Sequence, residues 1–315
     1  MFGGTEAGAT NVISGNKNFG IFPDNTINLK IQGNIIGPDW KGDPIPGNVQ
    51  LGGLGFPALN GPFVDTLIGG TNPGEGNIIA HNNGTGIAVI KVYIMGVSNF
   101  DSIGVSILGN SIFSNASNNT FIISESGLGI DLLNAEFSNM SLTTLGVTPN
   151  DVSDADTGAN HLMNYPVLNS AIQNAQKLNV NLDLDAADSP VDQYRVEIFA
   201  NDAADPSGYG EGQTYLGYAN LSPGDGQDIQ LNLAGGTDLT GKVISATTTV
   251  IDNTATYGFG STSEFSLARS VSIATALDES LATTGAPVWA YGATALGLLF
   301  TGAIGMYLYH RRHSV

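Results

Sequence analysis

The stretch IGGTNPGEGNIIAHNNGTGI, residues 68–87, repeats FGGTEAGATNVISGNKNFGI, residues 2–21, at a fixed offset of 66. Gly3, Gly4, Thr5, Gly8, Asn11, Ile13, Asn16, Gly20 and Ile21 fall on Gly69, Gly70, Thr71, Gly74, Asn77, Ile79, Asn82, Gly86 and Ile87. Glycine and asparagine recur as faithfully as isoleucine, which points to a repeated backbone rather than a repeated chemistry. Both residues tolerate φ > 0 at tight corners, whereas aliphatic residues fill a core.

Around these copies lie short apolar runs such as NVISGN, LKIQGNIIG, GIAVIKVYI and GVSILGNSIF, bounded by Gly-Asn, Asn-Asn or Gly-Gly. They read as strands. Residues 1–147 carry no clear helical caps and no 3.6-residue period, so strands recur without helices between them. That pattern predicts a parallel β-helix, a solenoid whose corner residues stack coil upon coil. Asn11 with Asn77 and Asn16 with Asn82 are the expected amide-ladder pairs, with Asn34 and Asn110 at the same type of corner. Sixty-six residues would make about three coils of roughly 22. The segments PDWKGDPIPGN (38–48) and KVYIMGVSNFDS (91–102) break the pattern and are expected as loops or widened coils. Trp40 in the first is either a surface contact residue or packed on its own loop prolines.

Composition narrows the function classes. Only 12% of residues are charged and the net charge is −18, with all 28 acidic residues within 1–280. Such a chain lacks the basic face that nucleic acid requires. The absence of cysteine excludes disulfides, thiolate metal sites and cysteine catalysis.

Residues 165–272 hold seven candidate strands, YPVLNSA, KLNVNLDL, DQYRVEIFAN, QTYLGYAN, DIQLNL, GKVISATTTVI and SEFSLARSV. Seven short strands between turn signals suggest an immunoglobulin-like sandwich. Tyr194, Val196 and Ile198 alternate with Arg195 and Glu197, but Phe199 places a ring on the polar side. Between the two regions runs an Asp-rich linker, 148–164. Asp151, Asp154, Asp156 and Asn160 offer the hard oxygens that Ca2+ prefers, without EF-hand spacing. A solvated turn rich in Asp, Asn and Gly is the alternative.

Residues 280–309 contain no charge, and 286–309 is long enough for one transmembrane helix. Trp289 and Tyr291 stand at one end, Tyr307 and Tyr309 at the other, followed by the basic tail 310–315, HRRHSV. The basic tail is expected in the cytoplasm and residues 1–280 outside the cell.

The repeats, with IQGNIIGPD, GIDL (129–132), GVTPNDVSDADTGANHLMNYPVL (146–168), DPSGYGEGQTYLG (205–217) and STSEFS (261–266), resemble bacterial surface proteins built from right-handed parallel β-helix repeats. The resemblance covers most of residues 1–272. LNAEFSNMSLTT (133–144) looks inserted, and the chain opens within a repeat, so the β-helix is expected to be N-terminally incomplete. Within the linker 273–285, LATTG resembles a Gram-positive cell-wall sorting signal. Leu281, Thr284 and Gly285 match a Leu-Pro-x-Thr-Gly pentapeptide, Ala282 replaces the proline and Thr283 fills the variable position. The resemblance implies a sortase that attacks the Thr284 carbonyl and joins the protein to peptidoglycan. A plain linker before a permanent anchor is the alternative.

Polysaccharide lyases and hydrolases also use β-helices. Here the first arginine is Arg195, and the acids of residues 1–147 are scattered rather than paired. The expectation is therefore a non-enzymatic, cell-surface adhesin-like stalk that meets a glycan or host-surface ligand. The alternative is a polysaccharide-active enzyme or carbohydrate-binding module, with its active part upstream.

Overall fold

The computed structural model describes residues 1–45, 52–93, 100, 102–115, 127–136, 141–144, 146–186 and 193–274. Three sheets built from parallel strands make up its first half. The first contains β1 (Phe2–Gly3), β3 (Lys30–Gln32), β6 (Thr66–Gly69) and β9 (Val105–Leu108). The second contains β2 (Val12–Ile13), β4 (Ile35–Ile36), β7 (Ile78–Ala80) and β10 (Ser111–Phe113). The third contains β5 (Leu54–Pro57), β8 (Ile87–Tyr93) and β11 (Ile130–Glu136), with β12 (Ser141–Thr144) antiparallel to β11. The chain visits the three sheets in turn, so each circuit is one coil.

Three columns of apolar residues run up the coils, buried from the second coil on. Phe2, Ile31, Ile68 and Ile107 pair in register on the first sheet. Ile13, Ile36, Ile79 and Ile112 do so on the second, and Ile21, Leu54, Ile87 and Ile130 on the third. The register corrects the expected coil length. Steps of 29, 37 and 39 residues separate the members of the first column, so the 66-residue offset spans two coils rather than three. The difference lies in the connections, which are longer than a minimal coil needs.

Two of the repeated glycine pairs keep one left-handed conformation in both copies: φ is +75° at Gly3 and +80° at Gly69, +83° at Gly8 and +84° at Gly74. At Gly69 a Cβ would stand 2.1 Å from the Leu108 carbonyl oxygen of the next coil, so both torsion and space require glycine.

The principal amide ladder runs Asn11, Asn34, Asn77, Asn110. Each Asn donates its Nδ2–H to the Oδ1 of the next, at 2.9, 2.9 and 2.8 Å. Asn11 and Asn77 therefore share a ladder with Asn34 between them. Asn16 and Asn82 are not adjacent rungs. Three residues beyond the paired Ile13, Ile36 and Ile79 stand Asn16, Asp39 and Asn82, so an aspartate occupies the intervening coil. Asn82 instead donates to Asn115 Oδ1 at 2.9 Å.

The second half is a sandwich. One sheet orders β17 (Gly224–Asn232), β14 (Lys177–Leu184), β13 (Val167–Asn174) and β21 (Ser272–Ile273). The other orders β16 (Thr214–Leu221), β15 (Tyr194–Asn201), β18 (Val243–Ile251) and β19 (Phe259–Thr262), with β20 (Arg269–Ser270) also on β18. Leu178, Val180 and Leu182 of β14 share a core with Val196 and Ile198 of β15. Six expected strands match β13 to β18. The seventh, SEFSLARSV, is broken: Ser263 and Ser266 N–H still donate to the Thr248 and Ala246 carbonyls of β18, both at 2.9 Å, while Glu264 and Phe265 between them turn to the coils, and only Arg269–Ser270 form a strand, β20.

The two halves lie within one compact unit, Met1–Ala274. The sandwich closes the last coil at every sheet. On β9, Gly104 N–H donates to Ser261 Oγ at 3.1 Å and Ile107 N–H to Thr262 Oγ1 at 2.9 Å. On β10, Ile112 and Gly212 exchange both backbone bonds at 2.8 and 2.7 Å. On β11, Leu132 N–H donates to Glu264 Oε1 at 2.9 Å. Phe199 and Phe265, in edge contact at 5.4 Å, join the coil core with Ile112 and Ile130. The ring of Phe199 on the polar side of β15 is thereby explained: both faces of that strand are buried.

A hairpin between β18 and β19 reaches back along the coils. Tyr257 donates its hydroxyl to the Asn28 carbonyl at 2.7 Å, and Thr256 N–H donates to Asp65 Oδ2 at 3.2 Å.

Among the described residues no helix is long and apolar enough to cross a membrane. The span 286–309, the LATTG motif at 281–285 and the tail 310–315 lie outside them.

Candidate functional site

The Asp-rich segment crosses from the coils to the sandwich, and its turns are held by its own side chains. Asn150 and Tyr165 exchange two bonds, Asn150 Nδ2–H to Tyr165 O at 2.8 Å and Tyr165 N–H to Asn150 Oδ1 at 3.1 Å. Asn164 Oδ1 accepts Asp151 N–H at 3.0 Å, and Asp154 Oδ1 accepts Asn164 N–H at 2.9 Å. Ser153 and Asp154 adopt left-handed φ of 60° and 48°. The outcome is convergence: one carboxylate oxygen each of Asp151, Asp154 and Asp156 lies within 4.8 Å of the others.

Asp156 bears the cost. Its Oδ1 is buried without a hydrogen-bond partner. Burial, followed by the charges of Asp151 and Asp154, pushes its carboxyl up to about 6. Three carboxylates at this spacing suit a hard divalent cation, which prefers oxygen ligands. Asn160, the fourth expected ligand, does not join them. Its Oδ1 accepts Val105 N–H at 3.0 Å, and its Nδ2–H groups donate to Val105 O and Thr262 O at 2.8 and 2.9 Å. It is a junction residue, because the left-handed run Asn160–Leu162 turns its amide toward β9.

Beside the cluster opens a cleft of about 750 Å³. Asp154, Asp156, Asp65 and Asp252 line it over Phe63, Met163 and Val250, and none of its described lining residues is Lys or Arg.

Trp40 sits at the tip of a small loop closed around Asp39, which accepts Lys41 N–H at 2.8 Å and Asp43 N–H at 3.0 Å. The indole is 70% exposed, with Lys41 Nζ 5.3 Å from its ring, so it is not buried against the described loop residues. Tyr93, Phe100 and Phe113 do not form the aromatic row on adjacent coils that a sugar platform needs. Tyr93 is on the third sheet, Phe113 on the second against His81, and Phe100 packs on the core.

Four acidic residues meet at the junction: Glu197, Glu264 and Asp131 are buried, and Glu211 is partly buried. Glu197 Oε2 accepts Gly109 N–H at 2.8 Å while its Oε1 holds Arg195 at 2.8 Å. Glu211 accepts Ser114 N–H at 2.6 Å and Asn115 N–H at 3.0 Å. Glu264 accepts Leu132 and Thr148 N–H, both at 2.9 Å, close to buried Asp131. The apolar residue on the wrong side of β15 was the available signal that this face is covered.

No protein-family model and no curated protein matches this chain.

Proposed function

We propose that this chain is a cell-surface protein whose β-solenoid works as a stiff stalk, held to the envelope by its C-terminal segment. One observation carries the reading. The sandwich continues the coil stack without a hinge, sharing its core through Phe199 and Phe265 and strapping it through Tyr257. A continuous body of this kind transmits force and holds a distance, as display from a surface requires. In this reading the coils are a right-handed β-helix, the sandwich is immunoglobulin-like, and residues 286–309 form a transmembrane helix. The protein acts as an adhesin rather than an enzyme.

The exposed Trp40 is the contact point for a glycan or host-surface ligand, since a solvent-facing indole supplies large apolar area at little ordering cost. Asp151, Asp154 and Asp156 take Ca2+, which neutralises their repulsion and stiffens the crossing between coils and sandwich. LATTG at 281–285 is the sortase substrate, with peptidoglycan the final partner. Mass spectrometry of a cell-wall digest tests this: a peptide ending at Thr284 and bonded to a peptidoglycan fragment is expected. An intact span through Val315 in the membrane fraction would remove the sortase step.

A further inference from the structure

A row of aromatic rings runs along the seam between coils and sandwich, and neighbouring groups hold it in place. Tyr218 of β16 lies on the guanidinium of Arg195, whose Cζ is 3.5 Å from that ring centroid and 5.9 Å from the centroid of Phe259 in β19. Arg195 is buried, donating to Glu197 Oε1 at 2.8 Å and to the Tyr215 hydroxyl at 3.0 Å. Two residues before Phe259 stands Tyr257, with Lys30 Nζ 4.6 Å from its ring centroid and its hydroxyl tied to the Asn28 carbonyl. Tyr218 is 49% exposed, and Tyr257 and Phe259 are half-buried. Tyr257 and Phe259 also line a groove of about 280 Å³, together with Lys30, Asn72 and Glu75 of the coils. In a chain of net charge −18 this groove is balanced: among its described lining residues Lys30 is the one cation and Glu75 the one anion. Beyond the Tyr257 ring, no hydrogen bond or ion pair takes up the Lys30 ammonium among the described residues, so its donors are open. Glu75 accepts Asn72 N–H and Nδ2–H at 3.0 and 3.1 Å and keeps spare lone pairs.

We propose that this seam is a binding groove for a neutral glycan chain, with Tyr218, Phe259 and Tyr257 as its aromatic platform and Lys30, Asn72 and Glu75 as partners for the hydroxyls. The groove deepens the glycan-binding reading above, on which it rests, and Trp40 does not line it. The C–H faces of a sugar ring are apolar and pack on aromatic faces. Its hydroxyls each donate and accept, which matches an ammonium set beside a carboxylate and an amide. A charged ligand would gain little from one cation and one anion side by side, which is why the chain bound here is neutral. The rings are fixed before any ligand arrives, so little ordering is lost on binding. A groove of this size lies below the usual range for an enclosed small-molecule site and suits one stretch of a longer chain.

Isothermal titration calorimetry on the full chain tests the groove, in a detergent without a sugar head group. The probes are cellopentaose, laminaripentaose, mannopentaose and N-acetylchitopentaose, and at least one of them should bind. Tyr218→Ala and Phe259→Ala should each weaken that binding on the order of tenfold or more, while Trp40→Ala should leave it in place. Tyr218→Phe, which keeps a ring on Arg195, should bind as the wild type does. Binding retained in both alanine variants would overturn the groove; if it is then lost in Trp40→Ala, the Trp40 contact stands alone. No binding of any probe would overturn the groove and the Trp40 glycan contact together. If a ring variant does not fold, Lys30→Gln and Asn72→Ala on the coil side carry the same test, and binding unchanged in both would count against the groove.

Discussion

Glu211 stands where Asn115 would otherwise meet the next asparagine of its ladder. Its Oε1 accepts the N–H and Nδ2–H of Asn115 at 3.0 and 3.1 Å. Asn115 Oδ1 in turn accepts the same two groups of Asn82 at 3.4 and 2.9 Å. An amide ladder is polar in direction, each rung donating onward, so its last rung needs an acceptor that donates nothing. A carboxylate meets that need.

The interior rungs should cost far more to remove than the outer one. Asn77 is buried, donates to Asn110 and Ile31, and accepts from Asn34. Asn77→Ala leaves several of these groups unpaired and is expected to cost roughly 2–4 kcal/mol. Asn11, at the exposed first rung, should cost about 1 kcal/mol or less. Urea denaturation of both variants checks the ordering, and equal costs would contradict the ladder's role.

Gly69 and Gly74 separate torsion from space. Both have φ near +80°, but a Cβ at Gly74 meets nothing closer than Thr5 Cγ2 at 3.9 Å, whereas at Gly69 it strikes the Leu108 carbonyl. Gly74→Ala should cost about 1–2 kcal/mol from the left-handed backbone alone. Gly69→Ala should cost clearly more, and thermal denaturation of the pair measures the difference.

Phe265 should matter to both halves at once. Its ring fills the end of the coil core, 2.9 Å from where a Cβ of Gly129 would stand and 2.7 Å from one at Gly212. Phe265→Ala is expected to destabilise by about 3–5 kcal/mol. Exchange protection should fall in coil residues 105–112 and in β15 together. Loss confined to the sandwich would argue against a shared core.

Calcium should raise the Tm at pH 7.5, where Asp151, Asp154 and Asp156 repel one another. At pH 5 the effect should shrink, because Asp156, held up to about 6, has taken a proton that a cation must displace. Asp156→Asn should lose most of the pH 7.5 shift. A Tm indifferent to calcium in the wild type would remove the ion from the account.

The stacking of strands was legible in the sequence because its causes are local. Gly3 and Gly69 share one torsion, and Ile13 and Ile79 share one column. Coil number was not legible, since length resides in connections whose residues carry no period; Asn34, the rung between Asn11 and Asn77, was recognised only as the same type of corner. The acidic convergence of Asp151, Asp154 and Asp156 could be read from spacing, but Asn160 could not be assigned, because its partners Val105 and Thr262 are 55 and 102 residues away. The same distance in sequence hid Glu211 and Glu264. Glu211 looks like a loop acid and Glu264 like a strand acid until the coil end each one closes is in place.

Scanning calorimetry of residues 1–274 tests the central claim, that the sandwich is the closing element of the coil stack. The account predicts a single transition with a van't Hoff enthalpy equal to the calorimetric one, and Phe265→Ala shifting that one transition down. Two resolved transitions, with Phe265→Ala moving only one of them, would mean that coils and sandwich are independent bodies, and the hingeless stalk would be wrong.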